Sequence, residues 1–138
     1  MTTATTTSRR RNVTLWVIQV VVGLFFLGAA ALPKLLGEST AVEMFERIGA
    51  GQWFRYLTGA LELAGGIGLL IPGLAGFAAA ALVALLICAT YTNFFVIDMP
   101  SSSITTIALA VVLALVARAR WSQTRAMLSR TLHRKGVA

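Results

Sequence analysis

WFRYLTGALELAGGIGLLIP, residues 53–72, is the stretch whose reading decides the fold. It has the length of the roughly 20 apolar residues that carry a helix across a bilayer's hydrocarbon core, and near its middle stands one carboxylate, Glu62. A charged acid at that depth costs about 2.5–3.5 kcal/mol on insertion scales, so such a residue faces protein or a wet cavity and is a functional candidate. Arg55, Thr58, Gly59, Gly65 and Leu69 lie one or two helical turns away on the same face. Small residues thus flank the acid and let another helix approach closely. The stretch predicts a transmembrane helix with its acid in a helix seam.

Composition extends this reading to the whole chain. Of 138 residues, 57% are hydrophobic and 12% charged, and the mean hydropathy is +0.80. A soluble domain of this size has no use for so much apolar surface. The formal charge of +7 would suit a nucleic-acid binder, but the basic residues sit at the two ends and flank apolar runs. Membrane topology accounts for that pattern and nucleic acid does not. Cys88 is the single cysteine, so an intramolecular disulfide and a Cys-x-x-Cys redox motif are both excluded. Redox chemistry would need a cofactor, a partner or an intermolecular thiol. His133 stands alone in the basic tail, and no metal site is expected.

Moving outward, residues 1–12 are Thr-rich, end near Arg9, Arg10 and Arg11, and read as a disordered basic cytoplasmic lead. Residues 13–32 form an apolar run in which Gln19 is the one strongly polar member. Its length weighs against the competing reading as a secretory signal, whose apolar core is shorter. Lys34 closes this first span. Residues 39–51 read as a short interfacial helix: Thr40 and Glu43 fit a capping box, Ala41, Met44, Phe45 and Ile48 share a face, and Gly49 or Gly51 can end it. Such a helix is either a solvated connector or a lid over a pocket. After Pro72-Gly73 turns the chain, residues 74–97 form a third span whose end turns polar at Cys88, Thr90, Tyr91, Thr92 and Asn93. Residues 102–117 form a fourth. Residues 118–138 read as a basic amphipathic tail on the anionic inner leaflet, with Trp121, Leu128 and Leu132 at helical spacing.

Charge sets the orientation. Nine of the twelve basic residues lie in the two ends without an acid among them, which places both termini in the cytoplasm. Lys34, Arg47, Arg55, Glu38, Glu43, Glu46 and Asp98 fall on the other side. The expected architecture is an all-α bundle of four transmembrane helices with a short interfacial helix between the first and second, occupying residues 13–117.

Several runs together resemble the DoxX and DoxX-like membrane proteins: GAAALPKL at residues 28–35, FERIG at 45–49, WFRY at 53–56, and GALELAGG at 59–66 followed by LLIP at 69–72. The resemblance implies a small multi-pass protein of the bacterial inner membrane. It also implies a redox-associated role, because the family is named for a subunit of quinone-coupled thiosulfate oxidation and some members are tied to oxidative stress and thiol metabolism. The polar end of the third span is not part of the shared pattern.

Counting about 1.5 Å per residue from the outer helix ends, Glu62 and Cys88 come to one level, with Thr90, Tyr91 and Asn93 above them and Lys34, Arg55 and Asp98 at the mouth. This suggests a polar path to Glu62, the candidate proton exchanger, with Gln19, Lys34, Arg55, Thr58, Cys88, Tyr91 and Asn93 as candidate ligand contacts for a quinone or another lipophilic molecule. Partners would be membrane lipids, a soluble redox enzyme and a second copy of the chain docked through Ala60, Ala64 and Gly68. In the contrasting reading Glu62 hydrogen-bonds Gln19, Thr58 or a carbonyl and only locks a non-enzymatic scaffold.

Overall fold

The computed structural model describes residues 2–136, with side chains from Ser8 onward, and every regular element among them is helical. α1 (Thr2–Phe25) passes through a π-helical segment (Phe26–Ala31) into α2 (Leu32–Leu36). α3 (Ser39–Ile48), α4 (Gln52–Leu70), α5 (Ala75–Phe95) and α6 (Pro100–Gly136) follow. Three helical stretches are long and apolar enough to cross a membrane by length and composition: Ser8–Leu36, Ala75–Phe95 and Pro100–Gly136. α4 is not among them. Its 19 residues include Arg55 and Glu62, which dilute its apolar content.

Pro33 explains the π-helical segment. Proline has no N–H to donate and its ring crowds the carbonyl four residues back, so the helix widens ahead of it and Leu32 N–H bonds to Leu27 O instead. The helix therefore survives the proline and ends only at Gly37, in the left-handed region at φ 73°. There Glu38 N–H closes on Pro33 O at 2.9 Å. This extra turn carries Lys34 alongside α4.

The helices pack in the order α1, α4, α5, α6, with α2 and α3 against α4. Val22, Phe26, Leu69, Ala78, Ala79, Leu82, Leu86, Leu113 and Val116 form one buried cluster. Small residues set the spacing. Gly23 and Gly66 face each other across α1 and α4, each with space for a Cβ only about 3.1–3.2 Å from the other's carbonyl oxygen. In a lipid solvent close packing of this kind replaces the hydrophobic effect as the force between helices. The outer surface stays apolar, with Val17, Val21 and Leu24 of α1 and Ile104, Val111 and Leu115 of α6 all exposed.

Three local expectations change. The lead is helical from Thr2 rather than disordered, and Asn12 within it is held by Arg120 of α6 through a 2.7 Å hydrogen bond; Met1 lies outside the described residues. The capping box is not formed: Glu38, two residues before Thr40, is the N-cap of α3 and makes no side-chain bond, and Glu43 pairs with Arg47 at 2.8 Å instead. The tail is no separate helix, because α6 runs without a break from Pro100 to Gly136; Val137 and Ala138 lie outside the described residues.

The α4–α5 contact gives a direct test of the packing. A Cβ on Gly68 would come 2.8 Å from Ala78 Cβ, which has no freedom to move away, whereas a Cβ on Gly28 meets nothing within 4 Å. Gly68→Ala should lose about 1–3 kcal/mol through overpacking, and Gly28→Ala should lose nothing. Reversible unfolding in detergent or bicelles measures both.

Candidate functional site

Glu62 is buried on the inner face of α4 with Arg55, Gly59, Gly66 and Leu69. Its partner is Lys34. The ammonium Nζ donates to Glu62 Oε1 at 3.1 Å and stands 2.9 Å from Oε2. Both side chains are largely shielded, at 18% and 10% exposure. Lys34 Nζ also donates to Ala30 O at 3.0 Å, in the widened helix before Pro33. Gly59 makes the approach possible: a Cβ there would sit 3.1 Å from Lys34 Cβ and from Leu35.

Arg55 holds Lys34 from behind. Its Nη1 donates to the carbonyl oxygen of Lys34, at the C-terminal turn of α2, where a cation complements the helix dipole. Its Nε donates to Gln52 Oε1 at 2.7 Å, and its guanidinium covers the Tyr56 ring at 4.3 Å. Arg55 is therefore a positioning residue for the pair.

The pair lies in the wall of a cavity of about 380 Å³. Every element contributes to that wall: Phe26 and Ala30 before α2, Phe45 and Ile48 from α3, Phe54 and Thr58 from α4, Leu86 and Asn93 from α5, and Ser102 and Thr106 from α6. α1 and α6 are joined at the end where the arginines gather, through Asn12 and Arg120. α3 contributes Met44, Phe45 and Ile48 to the cavity wall.

The lining is chiefly apolar with a few converging polar groups, the usual character of a small-molecule site. Glu62 Oε2 is buried and receives no aligned hydrogen bond among the described residues. An ammonium has three hydrogens to donate, and Ala30 O and Glu62 occupy two of those of Lys34. The pair thus sets an acid and a base side by side in the wall.

Lys34, Thr58, Glu62, Cys88 and Asn93 all line this cavity, so five of the eight residues singled out from sequence come together. Three do not. Gln19 lies at the arginine-rich end, its Nε2 donating to Leu69 O at 2.9 Å and its Oε1 accepting from Arg120 Nε at 2.7 Å, and it makes no bond to Glu62. Tyr91 is 62% exposed and packs on Phe95, ring centroids 5.0 Å apart. Arg55 stays behind the wall. What the sequence reading missed is the Lys34–Glu62 pair itself, together with Phe26, Phe45, Phe54 and Thr106. One lysine ending a span and one acid within the next was the available signal. No cluster of three or more His, Cys, Asp or Glu that could hold a metal occurs among the described residues.

The fold and this site define an all-helical integral membrane protein with an apolar exterior and a cavity between its helices. The sequence profile of the DoxX-like family matches residues 17–118, and the chain belongs to that family. No curated protein and no solved structure matches it.

Removing one member of a buried ion pair leaves the other charge unpaired and costs about 3–5 kcal/mol, whereas replacing both costs far less. Lys34→Met and Glu62→Leu should each destabilise by about that amount, and the double variant should be more stable than either single one. A double-mutant cycle read by unfolding in detergent checks this.

Proposed function

We propose that the protein is a redox-associated membrane subunit whose cavity binds a lipophilic ligand bearing a hydroxyl or carbonyl group, such as a quinone or quinol. The observation that carries the reading is the shielded Lys34–Glu62 ion pair in the wall of a mainly apolar cavity. A ligand hydroxyl reaching the pair would accept from Lys34 Nζ and donate to the Glu62 carboxylate, and Glu62 is then placed to take that proton. Aromatic side chains Phe26, Phe45 and Phe54 supply flat apolar contacts for a ring. The link to thiol and oxidative-stress metabolism, and to a redox partner protein, rests on the family resemblance.

The topology proposed with it is four crossings, by α1, α4, α5 and α6, in a bacterial inner membrane with both ends cytoplasmic. Asn12 and Arg120 are hydrogen-bonded, so α1 begins on the side where α6 emerges. An even number of crossings follows, and α4 supplies the fourth. The arginines at that end favour the cytoplasm. Reporter fusions at residue 1 and residue 138 should both read as cytoplasmic.

The second reading, a scaffold in which Glu62 only fastens α2 to α4, is favoured by the tight fit of Lys34 over Gly59. Pairing of two copies through Ala60, Ala64 and Gly68 has less support, because Gly68 is already packed on Ala78 within the chain. Binding separates the first two. With a short-chain quinol added to purified protein, Glu62→Gln should weaken affinity by about ten-fold or more, the worth of one charge-assisted hydrogen bond. A variant that folds and binds like the parent assigns Glu62 to the scaffold.

A further inference from the structure

At the arginine-rich end the bundle holds a second cleft, of about 400 Å³, between the start of α1 and the middle of α6. Arg9, Arg11 and Arg120 line it together with Asn12, Ser122 and Gln123. Its chemistry is opposite to that of the first cavity. Three arginines line it, and the chain's acids, Glu38, Glu43, Glu46, Glu62 and Asp98, all lie elsewhere in the sequence.

Arg120 is the centre of this cleft. It is only 4% exposed, yet every partner it has among the described residues is neutral: Gln19 Oε1 at 2.7 Å, Asn12 Oδ1 at 2.7 Å, Gln123 Oε1 at 3.3 Å and Asn12 O at 3.5 Å. Arginine cannot shed its proton, and it carries five N–H hydrogens. Four bonds leave one without a partner, and Nη2 makes only the longest of them. The position is also fixed tightly, since a Cβ on Gly76 would meet Thr124 Oγ1 at 2.6 Å and the Arg120 backbone at 3.2 Å. A rigidly held, shielded cation beside two like charges calls for an anion.

We propose that this cleft binds one phosphate group, presented by the headgroup of an anionic phospholipid. Guanidinium forks match phosphate oxygens in pairs. The level in the membrane fits as well: Trp16 stacks near Arg120, with 5.8 Å from the guanidinium carbon to the ring centroid, and Trp121 is half exposed beside it. Aromatic residues of this kind gather at the headgroup boundary.

The test is native mass spectrometry of the full-length protein in detergent, titrated with phosphatidylglycerol, with phosphatidylcholine of the same chains, or with inorganic phosphate. Phosphatidylglycerol should bind roughly ten-fold or more tightly than phosphatidylcholine, and the double change Arg9→Gln with Arg11→Gln should abolish that preference. Both residues are exposed, so folding is not at stake. Arg130→Gln with Arg134→Gln, an equal loss of charge far along α6, should leave the preference intact. Inorganic phosphate that competes at the affinity of the lipid keeps the phosphate site and makes its source water-soluble. Equal binding of the two lipids, or an unchanged preference without Arg9 and Arg11, overturns the proposal.

Discussion

Lys34 and Glu62 hold this structure to its shape. Neither charge is tolerable alone in an apolar bundle, so each requires the other, and that requirement fixes where α2 lies on α4. The consequences spread from there. The helix must continue past Pro33 to deliver the lysine, which demands the widened turn before it. Gly59 must lack a side chain to admit the lysine's stem, and Arg55 must be buried to secure the carbonyl behind it. The pair then stands in the wall of the cavity that α3, α4, α5 and α6 share with it.

Polar groups are thus divided between two ends of one bundle. At one end an acid and a lysine neutralise each other in a cavity otherwise lined by apolar side chains and a few uncharged polar ones, a surrounding that suits an uncharged ligand. At the other end Gln19 and Asn12 satisfy an arginine without neutralising it, which leaves a net positive cleft. Gln19 is also the strut that ties α1 to α4 through Leu69 O and to α6 through Arg120. One amide therefore joins three helices.

Much of this was legible in the sequence, for identifiable reasons. Hydropathy marks spans because a bilayer admits little else, and a solitary acid in the stretch at residues 53–72 marks the seam. The face of α4 that carries Arg55, Gly59, Glu62 and Leu69 follows from a period of 3.6 and is buried as that period dictates. Counting rise per residue put Glu62 and Cys88 at one level, and both do line one cavity. Reading failed where a residue's partner lies on another helix. Nothing in the order of residues says that Gln19 turns to Arg120, a hundred and one positions away, or that Tyr91 points outward while Asn93, two residues on, points in. Pro33 gives no sign of its effect either, since a proline is ordinarily a stop and here only widens the turn.

α6 has a mechanical meaning of its own. Its 37 residues make a rod about 55 Å long at 1.5 Å per residue, against a hydrocarbon layer of about 30 Å. Met127 still lies against Gly73, and from Leu128 to Gly136 every residue is exposed, so this last stretch runs on past the bundle as a stiff mast. A flexible tether lets its cargo wander, but a continuous helix does not slacken, so a molecule gripping the arginines near Gly136 would be kept at set reach and bearing from the bundle, and any tilt at the root would swing it.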